Sequence, residues 1–135
     1  MKTFTEYVSV DTRQRNQMID ITGEVDRIIG KSGIRDGIAT VYCPHTTAAV
    51  TINENADPSV PRDIIMMLGE LVPHRHEGYR HSEGNSDAHI KSSIVGCSSQ
   101  VLIEDGKMRL GTWQALFFCE FDGPRKRKVL IQIRG

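Results

Sequence analysis

Three of the five histidines are the side chains best suited to bind a metal ion or an anion. His45 lies at the junction of two segments with strand-like patterns, and His81 and His89 enclose a short segment of small polar residues. Imidazole is the commonest protein ligand of zinc-like metals, and three imidazoles leave one coordination position open. The spacing alone leaves two interpretations: a shared metal or anion site, or separate histidines held in solvent or in the core.

The segment that ends at His89 also predicts an anion site. Asp87 can cap a short helix that runs through Val95 and ends at Gly96. Free backbone N–H groups at the N-terminus of a helix favour a phosphate. We expect polar side chains near the histidines to contact the same ligand, and these are Thr46, Thr47 and Asn85.

A second polar group follows directly on an apolar segment and contains Asn53, Glu54 and Asp57. Carboxylate and amide groups can act as a base, bind a metal or orient a substrate amine, so these three residues are the catalytic candidates. The alternative is purely structural, because the same residue types end strands and cap helices. The sequence leaves both interpretations open.

Four consecutive basic residues, 125–128, form a candidate phosphate clamp. In an antiparallel strand their side chains alternate between two faces, which places Arg125 and Arg127 on the same side. A solvated edge strand guarded by charge explains Lys126 and Lys128, so only the arginines are kept as anion ligands. A nucleic-acid partner is disfavoured, because the net charge is zero and only 6% of the residues are aromatic.

Length and composition restrict the class of protein. The 135 residues are enough for one domain with a buried core, and no repeat or linker divides residues 1–135. The longest apolar run, residues 64–68, is far too short for a membrane span, and residues 1–6 lack the apolar stretch of a signal peptide. We therefore expect a cytoplasmic protein with no membrane partner. The cysteines Cys43, Cys97 and Cys119 are too widely spaced for a disulfide framework or a zinc finger.

The hydrophobic periodicity predicts an α+β protein, a single-domain and mostly antiparallel β-sandwich with two or three helices. Helices are predicted near residues 21–32, 60–72 and 87–95, and a long loop over residues 73–87. Strands are predicted over residues 3–10, 38–43, 47–53, 101–103, 108–110, 112–121 and 129–133.

The strand predicted over residues 112–121 is apolar on both faces. Alternation places Trp113 on one face with Ala115, Phe117, Cys119 and Phe121, and we expect Trp113 in the core. Leu116 and Phe118 then lie on the opposite face. A helix or a second subunit must cover that face, and we expect a subunit interface to bury Leu116 and Phe118 or the helices that cover them.

Three blocks of the sequence resemble the YjbQ family. They are residues 45–48 with 53, 54 and 57; residues 79–81 with 84, 85, 88 and 89; and residues 110–114 with 120–127. The blocks span nearly the whole chain in the family's order, and the Leu-Gly-Thr-Trp-Gln block is highly specific. The resemblance implies a β-sandwich-like α+β fold and assembly as a homotrimer.

The resemblance also implies a pocket and an activity. In the pocket His45, His81 and His89 can hold an anion or a divalent metal such as zinc or magnesium, and no organic cofactor is expected. The implied activity is that of a thiamine-phosphate synthase, which joins a pyrimidine diphosphate to a thiazole phosphate and releases pyrophosphate. The alternative is a non-catalytic trimer that binds a metal or a phosphorylated metabolite.

Overall fold

Eight strands and three helices make up the computed structural model, which describes all residues from 1 to 135. The strands are β1 (Thr3–Asp11), β2 (Gln17–Asp20), β3 (Gly37–Tyr42), β4 (Ala48–Glu54), β5 (Ser98–Glu104), β6 (Lys107–Met108), β7 (Gln114–Glu120) and β8 (Lys126–Arg134). The helices are α1 (Thr22–Ser32), α2 (Ser59–Leu71) and α3 (Ser86–Val95). The predicted α+β class is confirmed, with β2 as an element that the periodicity did not predict.

The strands form two antiparallel sheets. The larger sheet has the order β1-β8-β3-β5-β6, and the smaller has the order β2-β7-β4. Thr3 pairs with Arg134 and Asp11 pairs with Lys126, so the first and last strands lie side by side along their whole length. β8 is therefore not an edge strand, although residues 126–129 have a neighbour on the β1 side only.

Local sequence signals explain where several elements end. Helix α1 ends at Gly33, whose φ of 69° is a left-handed conformation that glycine adopts without steric cost. The β5–β6 hairpin turns through Asp105 and Gly106, which both have positive φ. Two such residues in sequence are typical of the tight turn that matches the twist of antiparallel strands.

The main core fills the space between the two sheets. Inward-facing residues of the larger sheet, such as Val41, Val129 and Ile131, pack against Val50, Leu116 and Phe118 of the smaller sheet and against the buried face of α1. A second, smaller cluster lies on the other side of the smaller sheet. It joins Ala49, Ala115, Phe117, Cys119 and Phe121 to Ala88 of α3.

The two faces of β7 are both covered within one chain, in the opposite sense to the prediction. Leu116 and Phe118 are completely buried in the main core, whereas Phe117 and Phe121 lie under helix α3. Leu116 and Phe118 therefore do not themselves lie in a subunit interface, and the alternative, an interface on the elements that cover them, stays a prediction. A helix covers the second face, so β7 no longer requires a second subunit.

The prediction that Trp113 is a core residue is also wrong, because 61% of its surface is exposed. The strand begins at Gln114, and the Gln114 N–H donates to the Gly111 carbonyl in a turn that precedes it. The alternation of β7 therefore does not extend back to Trp113.

None of the three helices is both long enough and apolar enough to cross a membrane.

Candidate functional site

The connection between β3 and β4, the N-terminus of α3 and the start of β8 meet at one end of the sandwich. Between them lies a cleft of about 340 Å³, which we call the arginine compartment. The residues particular to it are Pro44, Thr47, Glu83, Asn85, Asp122, Arg125 and Arg127. It therefore collects all five side chains for which anion binding was predicted, with Thr46 at its border.

A second cleft adjoins the first and has a volume of about 520 Å³. Its own lining residues are Ala48, Ser92, Ser93, Gly96 and Cys97, and we call it the serine compartment. His45, Thr46 and His89 line both compartments. Both volumes lie within the usual range for small-molecule sites, which is about 300–1,000 Å³.

A buried ion pair forms the floor of the arginine compartment. Arg127 Nε donates to Glu120 Oε1 at 2.9 Å, and Arg127 Nη2 donates to Glu120 Oε2 and to Thr47 Oγ1. Glu120 is completely buried, and Arg127 is 4% exposed. Arg127 Nη1 has no protein partner, yet it is not closed off from solvent. One nitrogen of a fixed guanidinium group is thus left for a ligand.

Hydrogen bonds keep Glu120 ionised beside Arg127. Burial raises the pKa of Glu120, but bonds from Arg127, the Asp122 N–H and the Thr12 hydroxyl outweigh burial, and its pKa lies below the ordinary value. The predicted alternation along β8 is seen at this end, because Arg127 is buried while Lys126 and Lys128 are exposed.

Asp122 organises the rim of the same compartment. Its carboxylate accepts from Asn85 Nδ2 at 2.8 Å and from Arg125 Nη2 at 3.0 Å. Asn85 precedes α3 and is 8% exposed, and its Oδ1 is buried without a donor. Arg125 is half-exposed, so its guanidinium group is held by Asp122 but still open to the cleft.

Asp87, a buried residue in the first turn of α3, fixes the start of this helix. Its carboxylate accepts two hydrogen bonds from Arg15, at 2.9 and 3.0 Å, and Lys91 lies 3.5 Å away. Burial alone would raise the pKa of Asp87. The hydrogen bonds from Arg15 and the charges of Arg15, Lys91 and His74 have a larger, opposite effect, so the pKa lies below its ordinary value. Asp87 was predicted to cap the helix, but it is a buried anchor and makes no capping bond.

The pKa of His45 lies below its ordinary value. Burial lowers its pKa, and the positive charge of Arg127 lowers it further. Its Nε2 lies 3.0 Å from the Lys128 nitrogen and 3.1 Å from the Lys128 oxygen. Because Nε2 is occupied by this backbone, Nδ1 is the nitrogen available to a ligand.

The structure brings the three histidines to the same region but does not gather them around one point. The rings of His81 and His89 contact each other edge to face, with centroids 5.3 Å apart. His81 lines a third cleft with Tyr79, Arg80 and also His89, and its Nε2 lies 3.8 Å from Glu83. No three His, Cys, Asp or Glu side chains are close enough to hold one metal ion. The single chain as described therefore does not fit a three-histidine metal centre.

The acidic catalytic candidates are not brought into the cleft within one chain. Ala48 lines the cleft at one end of β4, and Glu54 lies six residues away at the other end, which is about 20 Å along an extended strand. Asn53 Oδ1 accepts from the Glu54 N–H, and Asp57 accepts from the Ser59 N–H and hydroxyl. Both contacts are typical of the ends of strands and helices, which is the structural role that the sequence left open as the alternative to catalysis.

Several residues that shape the cleft were missed in the sequence. Glu120 holds Arg127, and Asp122 holds Arg125 and Asn85. Asp87 holds the start of helix α3 through its bonds with Arg15. Only Glu120 carries a usable signal, because it interrupts the apolar segment 115–121. A charged residue in such a segment is buried, and a buried charge needs a partner.

The architecture and the cleft define a class: small α+β sandwich proteins with a cleft lined by arginine and hydroxyl side chains at one end of two antiparallel sheets. The profile of the family described as UPF0047 protein YjbQ-like matches residues 6–135. The chain belongs to this family, as its sequence blocks predicted.

The similarity extends over nearly the full length of the relatives. A UPF0047 protein from Methanocaldococcus jannaschii is 55% identical over 93% of this chain and 91% of its own length. YugU from Bacillus subtilis is 52% identical over 95% of this chain and 97% of its own. A crystal structure of a YjbQ/UPF0047 family protein from Clostridium acetobutylicum is 53% identical with a TM-score of 0.94, covering 96% and 99% of the two chains.

Proposed function

We propose that this protein binds a small phosphorylated metabolite in the arginine compartment and transfers its organic part with release of pyrophosphate. The observation that carries the proposal is the Arg127 guanidinium group, which Glu120 holds in place while leaving Nη1 free. A fixed cation that needs no reorganisation is suited to stabilise charge that develops on a leaving group.

The concrete reaction is the one that the family resemblance implies, formation of thiamine phosphate. The thiazole nitrogen forms a bond to the pyrimidine methylene carbon, and the bond from that carbon to the diphosphate oxygen breaks. The electron pair of the broken bond leaves with pyrophosphate. Arg127 and the half-exposed Arg125 would bind the departing charge, and Thr46 and Thr47 would position the phosphate oxygens.

A binding protein without catalysis is the second candidate. It is favoured by the position of Asn53, Glu54 and Asp57, which leaves the cleft without the groups that were predicted to orient the attacking partner. The same arginines would then hold a phosphorylated metabolite that the protein does not convert.

Substitution of Arg125 tests the anion site with little risk to folding, because half of its side chain is exposed. We expect Arg125→Gln to weaken pyrophosphate binding about tenfold, the loss of one charge-assisted hydrogen bond. Lys126→Gln is the matched control, because Lys126 is the exposed first residue of β8 and does not line the cleft, and it should bind pyrophosphate as the wild type does. Titration calorimetry measures both.

Pyrophosphate release from the two phosphorylated precursors then distinguishes the candidates. Release by the wild type that falls with Arg125→Gln supports the transferase. Pyrophosphate binding without release supports the binding protein, and the absence of any binding contradicts both.

Zinc or magnesium remains a separate prediction, because His45, His81 and His89 would have to come closer together to share an ion. Metal analysis and an EDTA control, at pH values above and below about 6.5, test that prediction.

We propose further that three copies of the chain associate, as the resemblance implies. The support lies on the outer face of the larger sheet, where Tyr7, Tyr42 and Leu102 are 59%, 43% and 64% exposed. Large apolar side chains grouped on one sheet face are typical of a contact surface. Light scattering should give about three times the 15.1 kDa mass of one chain. A monomer at micromolar concentration contradicts this prediction.

A further inference from the structure

We infer that the cleft binds its ligand in one fixed orientation, with the phosphate in the arginine compartment and an uncharged ring rich in N–H or O–H donors in the serine compartment. This inference rests on the proposed function and adds to it the chemistry and the direction of the ligand. Its basis is the different polarity of the two adjoining compartments.

The arginine compartment offers hydrogen-bond donors with positive charge. Arg127 Nη1 is free, and Arg125 is open to the cleft. Arg125 is paired with Asp122 and Arg127 with Glu120, and the remaining carboxylate, Glu83, is largely exposed, so the compartment offers guanidinium N–H donors more than a net positive charge. A phosphate is the ligand group that fits these donors best.

The serine compartment offers acceptors and no charge. None of the residues particular to it carries an ionised side chain. Ser92 Oγ donates to the Ala88 carbonyl at 2.7 Å, and Ser93 Oγ donates to the His89 carbonyl at 2.9 Å. Because both hydroxyl protons are used within α3, only oxygen lone pairs remain for a ligand. A phosphate would find no cation there, whereas an amino or hydroxyl group on a ring would find two acceptors.

The proposed function supplies a ring that suits the serine compartment. The pyrimidine half of thiamine phosphate is an uncharged ring with an exocyclic amine, and that amine can donate to the oxygens of Ser92 and Ser93.

Cys97 supplies a reporter inside the serine compartment. It is the exposed thiol of the chain, whereas Cys43 and Cys119 are 1% and 2% exposed. Burial also raises the pKa of Cys119 to about 12, so its thiol does not react at neutral pH. The rate at which a thiol reagent modifies the protein therefore reports access to Cys97.

The first experiment compares pyrophosphate alone with the hydroxymethylpyrimidine diphosphate, each at saturation. We expect the pyrimidine diphosphate to slow modification of Cys97 at least tenfold and pyrophosphate to change the rate less than twofold. Equal protection by pyrophosphate overturns the orientation, and so does tight binding of the pyrimidine diphosphate without protection.

The second experiment fills the serine compartment with Ser93→Leu, an exposed helical position where leucine is well tolerated. The variant should bind pyrophosphate like the wild type but the pyrimidine diphosphate at least tenfold more weakly. Ile94→Leu, 62% exposed on the next position of α3 and outside the cleft, should bind both normally. If the wild type binds no pyrophosphate, the proposed function fails. If it binds pyrophosphate and Ser93→Leu binds both probes normally, only the orientation fails.

Discussion

Replacing Glu120 with alanine should lower the free energy of unfolding by about 3–5 kcal/mol, the usual cost of leaving one charge of a buried pair without its partner. The partner is Arg127, which is 4% exposed, so without Glu120 its guanidinium group keeps its charge with little solvation from water. Urea denaturation followed by circular dichroism measures the change.

The control uses an exposed ion pair of the same two residue types. Glu104 Oε2 lies 3.4 Å from Arg109 Nε, and both side chains are more than half exposed. Exposed pairs of this kind contribute about 0–1 kcal/mol, so Glu104→Ala should be nearly neutral. Similar losses for the two variants would contradict the assignment of Glu120 and Arg127 as a desolvated pair.

The double variant Glu120→Met with Arg127→Leu separates stability from binding. Apolar side chains of similar volume commonly replace a buried ion pair at little cost or with a gain. We expect the double variant to recover most of the stability lost in Glu120→Ala and to bind no pyrophosphate. Recovery of stability together with normal pyrophosphate binding would show that Arg127 is only structural.

The same pair makes the wild type sensitive to acid. The pKa values of Glu120 and Asp87 are lower in the folded protein than their ordinary values of 4.5 and 3.8. Their contribution to stability is therefore fully present above those ordinary values and is lost as the pH falls through the lower, folded values. Glu120→Ala should flatten the loss of stability below about pH 4.5, because one of the two groups no longer titrates.

The sequence predicts the fold well where local signals and burial agree. α1 has an apolar stripe and ends at a glycine with positive φ, and the β5–β6 hairpin has an Asp-Gly turn. β2 was not predicted, because its four residues, Gln17–Asp20, are too short to show an alternating pattern, and pairing with β7 forms the strand. Its existence depends on a contact between residues about a hundred positions apart, which no local pattern contains.

The candidate site was predicted unevenly for a similar reason. Basic and polar residues that flank strands were found, because their type alone indicates an anion ligand. Residues that act by holding others were not found, since Asp122 and Asp87 resemble ordinary turn and capping residues until Arg125 and Arg15 are placed beside them. Within one chain the Asn53 and Asp57 side chains accept from neighbouring backbone groups, and a catalytic role for Asn53, Glu54 and Asp57 stays a prediction.

Truncation of Trp113 should have a much smaller effect than the alternating pattern predicts, whereas truncation of Phe118 should be costly. Phe118 is completely buried among Val50, Val129 and other residues of the main core, whereas Trp113 is 61% exposed. Phe118→Ala removes a ring whose place no neighbour can fill, and such cavities cost about 3–5 kcal/mol. Trp113→Ala removes a ring that already contacts solvent, so its effect should be within about 0.5 kcal/mol.

Two measurements check this contrast. Urea denaturation of both variants, followed by circular dichroism because Trp113 is the single tryptophan, gives the two free energies. In the wild type, the fluorescence of Trp113 should be readily quenched by iodide, since the ring lies outside both core clusters. A loss of several kcal/mol in Trp113→Ala with a protected fluorophore would place the ring in a contact that one chain does not contain. Such a result would locate Trp113 between subunits, because within the single chain the turn at Gly111 directs it away from both faces of β7.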